Sequence, residues 1–499
     1  MRCGRKIGDA HTAFLFAILV RTGARWIISA SAGGGFSLVT IRHNVINRPH
    51  NAMIRHVTYK NFNERKKAAR RCVLTADSRY SRTMVFANSR YDLSTPVFDD
   101  WVARMMPTLV EFRREVHRTP ELSFREVKTT ERIMTTLREA GLNPIACEGT
   151  GCYVDIGNGP FALALRADID ALPIVEQTDL PYSSTIPGVM HACGHDIHQT
   201  VMLGVALALH ELNEKTPLGR SVRILFQPAE EQLPGGAVQM IEQGLLRNIP
   251  RAFALHCDPK VELGKIGTRI GAITSASDTI KIHLSGHGGH TSRPHLTEDL
   301  IYAMSQIAVQ VPSVLTRRTD VRSGVLVAWG QVSAGVAPNA IPAEGYLAGT
   351  MRCLDVEVWR QAGNLLDEVI EQVAVPFGVQ ARVEHIRGVP PVVNTDAETT
   401  MLENAARAEL GEESIVLVEQ SMGGEDFAWI LQEVPGSMFR LGTRAPEDPV
   451  YDLHQGDYAP NEQAIGVGVR VMAATALRAV RFELAKAAKA ANPVRDEAR

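Results

Sequence analysis

From about Pro96 onward the sequence alternates between helical and strand-like segments, and this alternation, broken once, constrains the fold more than any other feature. Apolar residues at helical spacing run over 98–118 and 129–140, the second run stopped by Gly141. Short apolar runs at 152–156 and 161–165 read as strands. Helix, strand, helix and strand then follow at 199–212, 222–226, 237–246 and 253–256. Strands separated by helices pair in parallel and carry helices on both faces. In such sheets functional groups collect beyond the carboxyl ends of strands, where Asp168, Glu230, Glu231 and His256 fall.

Beyond His256 the order changes. Residues 279–284, 324–332, 344–351 and 379–386 read as strands, and 299–315 and 356–375 as helices. Strand, helix, strand, strand, helix, strand is the order of the ferredoxin-like split unit, expected here as an α+β domain inserted over 277–387. After Pro390 the first pattern resumes, with helices at 399–410, 425–432 and 464–491 and strands at 415–418 and 437–441. The tail 492–499 is expected to fray. The expected architecture is α/β: a mainly parallel-sheet domain, made of 96–276 and 388–499, split by the insertion.

Charge marks the N-terminal part off. Residues 1–95 hold 17 Lys and Arg against 4 Asp and Glu, whereas the remainder holds 36 against 51. An acidic globular part argues against nucleic acid as a partner. No stretch reaches the roughly 18 apolar residues of a membrane span. The apolar run 13–20 follows Arg2, Arg5 and Lys6, but Arg21 and Arg25 come directly after it and no small-residue cleavage site intervenes. Residues 1–95 are therefore read as a basic, poorly ordered extension, and Met84 offers an alternative start. Seven cysteines, an odd number scattered over a long chain, do not make a disulfide framework and suit a reducing cytoplasm.

The chemistry concentrates in Met190-His191-Ala192-Cys193-Gly194-His195-Asp196-Ile197-His198. Gly194 allows a turn tight enough for Cys193 and His195 to face one ion. Thiolate and imidazole suit zinc, manganese, cobalt or nickel better than calcium or magnesium. Asp196 or His198 can stand behind a ligand imidazole and orient it, and Asp168 lies at a neighbouring strand end. Glu230 and Glu231 are consecutive, so their side chains diverge. One can ligate while the other takes a proton from a metal-activated water. His256 and His454, each taken alone, are as readily core or loop histidines as ligands.

In the insertion, Gly286-His287-Gly288-Gly289-His290 lacks the Lys-Ser/Thr ending of a phosphate loop. A histidine there can instead polarise a substrate carbonyl. Asn339, in the turn Ala337-Pro338-Asn339-Ala340-Ile341-Pro342, presents an amide. Arg352 can hold a carboxylate through two parallel hydrogen bonds or sit in a surface ion pair.

Together these segments resemble the co-catalytic metallopeptidase family of aminoacylases, carboxypeptidase G and succinyl-diaminopimelate desuccinylase. The nearest branch is that of hippurate hydrolase, N-acyl-L-amino acid amidohydrolases and indole-acetyl-amino acid hydrolases. The resemblance spans 98–488 and also rests on His117-Arg118-Thr119-Pro120-Glu121-Leu122, Arg166-Ala167-Asp168-Ile169-Asp170, Gln227 to Glu231, Gly423-Gly424-Glu425-Asp426-Phe427 and Leu453-His454. It implies a catalytic domain binding two divalent transition metals (Zn, Mn, Co or Ni) per subunit and a lid that dimerises. It places the metal ligands at Cys193, His195, Glu231, His256 and His454, and the general base at Glu230. It gives His290 the oxyanion, across a homodimer, and Asn339 and Arg352 the substrate's carbonyl and carboxylate. Two departures stand out. Arg166 occupies the place of a metal-binding His, and Cys193 that of a bridging Asp.

The resulting expectation is a cytoplasmic homodimer that hydrolyses N-acyl amino acids of the hippurate kind, with neither nucleic acid nor membrane as partner. A dipeptidase or N-carbamoyl amino acid hydrolase on the same scaffold is the nearest rival. A non-catalytic metal-binding relative is a further one, against which an intact Glu230 beside Glu231 argues.

Overall fold

The strand-like runs of the larger domain meet in one mixed sheet. In the computed structural model, residues 96–491 are described, together with the backbone of three strands nearer the N-terminus. These are β1 (Ala17–Thr22), β2 (Arg25–Ser31) and β3 (Phe36–Ile41), joined as an antiparallel meander. The expectations for the rest of 1–95, and for the tail 492–499, lie outside the described residues.

The main sheet has eight strands. In spatial order they are β18 (Ile415–Leu417), β9 (Ile266–Thr268), β19 (Gly436–Arg444), β8 (Ala252–Glu262), β6 (Phe161–Asp168), β7 (Ser221–Gln227), β5 (Cys152–Ile156) and β4 (Ile145–Ala146). The central run β19-β8-β6-β7 is parallel. β5 pairs with β7, β4 with β5, and β9 with β19, all antiparallel. Every residue of β6 after Phe161 is buried, as a strand covered on both faces requires.

Helices supply that cover. In α1 (Asp99–Arg118) the buried Val102, Leu109, Phe112 and Val116 recur at helical spacing, so one stripe faces the sheet. It packs with α3 (His195–Lys215) and α9 (Ala464–Ala491) through Val201, Val205, Val469 and Met472. On the opposite face lie α4 (Gly236–Glu242) and α8 (Phe427–Glu433), anchored by Met240, Phe427 and Ile430. Each such fully buried side chain contributes about 1.5–3 kcal/mol of transfer free energy.

A second, wholly antiparallel sheet has the order β13 (Leu326–Ala334), β15 (Glu344–Cys353), β11 (Ala276–Ser285), β16 (Gln380–Val389). Residues in β11 alternate buried and half-buried, so only one face is covered. Ile280, Ile282 and Leu284 pack there against α5 (Leu300–Arg318) and α6 (Val356–Ala374) in a separate core. The chain order β-α-β-β-α-β is the ferredoxin-like one.

Candidate metal centre

The residues singled out in the main domain converge at the carboxyl end of the parallel strands. Gly194 makes this local geometry: its φ of +94° is left-handed, and a Cβ there would meet Cys257 Cβ and Sγ at 2.9 Å. The turn starts α3 at His195, four residues before the helical pattern was expected, and leaves Cys193 beside it. Cys193, His195 and His256 present ligand atoms within 4.8 Å of one another, as do Cys193, Glu231 and His454, and His195, Glu230 and Glu231. Cys193 Sγ lies 3.4 Å from His256 Nε2. His454 Nε2 lies 3.1 Å from Glu231 Oε1.

Hydrogen bonds behind these atoms fix which nitrogen faces the cluster. His195 Nδ1 is 3.0 Å from the Asp170 carbonyl and 3.1 Å from its carboxylate, so it donates and Nε2 is left to face the cluster. His256 Nδ1 donates to the Cys257 carbonyl at 2.7 Å, with the same result. His198 is different. Its Nε2 accepts the Cys257 N–H at 2.7 Å and its Nδ1 donates to Asp168 at 2.6 Å, so no ligand atom remains. His191 is buried with both nitrogens unpaired and, chiefly through burial, its pKa falls to about 3, which keeps it neutral. One of the three clustered histidines therefore faces the site.

Asp196 needs correcting. Expected behind a ligand imidazole, it instead accepts from Arg113 Nε at 2.6 Å and from His117 Nδ1 at 2.8 Å. Asp170 holds His195 in its place, and takes Ser123 Oγ and the Glu231 N–H on its other oxygen. Asp168 is shared between His198 and Arg166.

Arg166 is a buried cation at the base of the site. Its guanidinium meets Asp168 at 2.7 Å, Asp426 at 2.6 Å, Glu425 at 3.1 Å and Gln227 at 2.9 Å. Glu425 and Asp426 carried no role in the sequence reading. The adjacent acids of Gly-Gly-Glu-Asp-Phe were the available signal, but nothing local pairs them with a residue 260 positions away. Another missed residue is Glu126, fully buried. It accepts from Phe124 N at 3.0 Å, Thr150 Oγ1 at 2.6 Å and Ala229 N at 2.8 Å. Ala229 has φ +53°, a strained value for a residue with a Cβ, and Glu230 follows it directly. Across the same turn Gly235 has φ +96°, and a Cβ there would come within 2.1 Å of the Asp426 carboxylate.

Electrostatics single out Glu230. Burial first, then the charges of Glu425, Glu231, Asp426 and Asp168, push its carboxyl well above the ordinary range. Burial lowers the pKa of His195, but Asp168 and Asp170 outweigh it and carry the value up to about 10, so Nε2 holds a proton that a bound cation would displace. His256 is held neutral, pushed down by burial and then by Arg440.

Facing this wall is a cavity of about 340 Å³, lined by Cys193, Glu230, Glu231, His256, His454 and, from the second sheet, Arg352. Arg352 is half-buried. His290 and Asn339 are not among the residues lining it. They lie together in the inserted domain, on β12 (Gly289–His290) and beside β14 (Ala340–Ile341), both exposed. Thr291 N–H donates to the Asn339 carbonyl at 3.2 Å, and Ser292 N–H to His290 Nδ1 at 3.1 Å. A neutral His290 thus carries its proton on Nε2, free to donate.

Residues 164–478 match peptidase family M20/M25/M40, and the chain belongs to this family. A Bacillus subtilis N-acetyl-L-cysteine deacetylase is 38% identical over 363 residues, which cover 72% of this chain and 84% of that one. A Rhodococcus jostii protein named "Putative glutamate--cysteine ligase 2-3" is 44% identical over 368 residues, 73% of this chain but 46% of that protein. The chain thus spans less than half the length of that relative. Among solved structures, a Bacillus subtilis protein described as a dinuclear metal binding peptidase of the M20 family shares 33% identity. It has a TM-score of 0.66, with 75% of this chain and 98% of that one covered.

The residues present fit a metal. His195 Nε2 is buried without a hydrogen-bond partner among the described residues, and an unpaired buried polar atom costs about 1–3 kcal/mol. The surrounding carboxylates, imidazoles and thiol are the donor set of a transition-metal ion, which would take the place of the His195 Nε2 proton and offset the clustered negative charge.

Proposed function

We propose that this protein hydrolyses the amide bond of N-acyl amino acids of the hippurate kind. The observation that carries the reading is one cavity holding a thiol, imidazole and carboxylate ligand set, a carboxyl outside that set and the Arg352 guanidinium. Cys193, His195, Glu231, His256 and His454 would hold two divalent transition metals (Zn, Mn, Co or Ni), Cys193 belonging to both neighbouring ligand groups. When bound, such ions supply Lewis acidity to the carbonyl and to water.

The chain's own residues do the rest. Glu230, its carboxyl raised by burial and by the neighbouring carboxylates, stands outside the ligand set and serves as general base. It takes the proton of the attacking water and returns it to the leaving nitrogen. Arg352 holds the α-carboxylate through parallel hydrogen bonds. His290 donates from Nε2 to the developing oxyanion, with Asn339 beside it on the carbonyl. Because both are exposed in their own chain, they serve the partner's cavity in a homodimer. Apolar side chains exposed on the inserted domain support that assembly: Ile301, Tyr302 and Val309 on α5, and Leu326 and Val332 on the edge strand β13.

A cytoplasmic location agrees with the five described cysteines, which are buried free thiols. Among the described residues no helix is long and apolar enough to cross a membrane. The test is hydrolysis of benzoyl-, acetyl- and indole-acetyl-amino acids, set against dipeptides and N-carbamoyl amino acids, after metal reconstitution. Turnover of the acyl substrates is expected; turnover confined to dipeptides or carbamoyl compounds would replace this reading.

A further inference from the structure

Among the described residues the buried arginines are paired. Arg113 meets Asp196 and Glu462, Arg166 meets three carboxylates, and Arg251 meets Glu398 and Glu483. Arg352 and Arg440 are the exceptions around the metal cavity. Each lines it, each is half-buried, and neither guanidinium has a hydrogen bond or close ion pair with a described residue, although Arg352 feels the charge of Asp278.

Arg440 is fixed by the fold. It lies on β19 in parallel register with His256 on β8, so the two side chains leave the same face of the sheet side by side. Gly267 is its antiparallel neighbour on β9. Arg440 also stands where the metal cavity meets a larger one of about 670 Å³, the two sharing Ser421, Arg440 and Leu453. A guanidinium so placed loses water whenever a substrate fills the cavity. Without a counter-anion that desolvation is uncompensated.

We propose that the substrate carries two anionic groups, the second of which is bound by Arg440. This rests on the reading of the cavity as an N-acyl amino acid site and narrows it, from monoanions such as hippurate to substrates with a second acid group. A substrate with one carboxylate satisfies Arg352 and strands Arg440, whereas a dianion pairs both. The second carboxylate can belong to the side chain of the amino acid or to the far end of a dicarboxylic acyl group. The chemistry at Arg440 is the same in both cases.

Two matched pairs separate these sources: N-acetylglutamate against N-acetylglutamine, and N-succinylalanine against its terminal amide. The readout is the ratio of kcat/KM for the acid to that for its amide, on metal-reconstituted enzyme. In the native chain one pair should favour the acid by about tenfold or more, since a site built for a polar group rejects the analogue lacking it. Arg440→Gln should lower that ratio by about tenfold, and Arg440→Lys by less, because it keeps the charge but not the planar fork. Ratios near one for both pairs, with the amides still hydrolysed, would overturn this inference and leave the proposed function standing. Hydrolysis of none of the four would overturn this inference, and would overturn the proposed function as well only if benzoyl- and indole-acetyl-amino acids were also left intact. A ratio that neither substitution changes would show that Arg440 does not bind the second anion, even if the Gln variant proves inactive and the Lys variant alone decides.

Discussion

The wall of the cavity in the main sheet and the pair His290–Asn339 in the inserted domain are built on opposite terms. In the wall each reactive atom is aimed by a buried partner: His195 by Asp170, His256 by the Cys257 carbonyl, and the turn before Glu230 by Glu126. His290 and Asn339 are exposed and held by backbone hydrogen bonds of their own loop. The first region is organised before anything binds. The second has donors ready and nothing in its own surroundings to donate to. On the proposed function, a site divided this way would place its acid–base chemistry in rigid strand ends and leave carbonyl recognition to a part brought up from outside the cavity.

The sharpest way to break the comparison is at Glu230. Glu230→Gln should keep metal content, measured by elemental analysis, and lower kcat by about 10²–10⁴-fold. Near-native turnover would remove Glu230 as the base and with it the distinction between ligand and non-ligand carboxylates.

Glu126 tests whether the wall is organised from behind. Glu126→Ala strands the Ala229 N–H and should cost roughly 1–3 kcal/mol of stability. It should also lower kcat by about tenfold with little change in KM, since a base displaced slightly loses efficiency more than binding. Glu126→Gln keeps an acceptor for Ala229 and should recover most of the loss. Loss of stability without loss of kcat would make Glu126 a purely structural residue.

The smallest effect concerns the acid limb of stability. Burial raises the pKa of Glu176, but hydrogen bonds from His117, Thr178 and the Ser184 N–H outweigh it, lowering the value from 4.5 to about 2. A depressed folded pKa gives stability that is present above the unfolded value and is lost as pH falls towards the folded one. His117, raised despite its burial by Asp196 and Glu176, behaves oppositely. Its contribution is full below its unfolded pKa and is lost as pH rises through the elevated one. With chelator in both samples, Glu176→Gln should lower Tm most above about pH 5 and converge with the native chain near pH 2. A difference independent of pH would contradict the ion pair.

The sequence exposed what is short in range. Cys193 and His195 are two residues apart, and Glu230 and Glu231 are adjacent, so their chemistry can be read without a fold. His256 and His454 are single residues, 198 positions apart in the chain, given meaning by the fold that brings a strand end and a loop to one cavity. The buried pairings Arg166–Asp426 and Glu126–Ala229 join segments 260 and 103 residues apart, and no local pattern announces them. Asp196 was misplaced because its neighbour in sequence is a proposed ligand while its partners, Arg113 and His117, lie on α1. Alternating helices and strands gave the parallel centre of the sheet. They could not give the direction of β5, because apolar runs mark strands and not their orientation.

The central claim is that the cavity and its carbonyl donor belong to different chains, and mixing two inactive variants tests it directly. Glu230→Gln and His290→Ala each disable every site in their own homodimers. In a mixed dimer acting in trans, one cavity lacks both groups and the other keeps both. After subunit exchange, confirmed with tagged chains, activity should rise towards half the native value per mixed dimer. Exchange with no recovery would contradict the account and leave His290 to its own subunit or to structure alone.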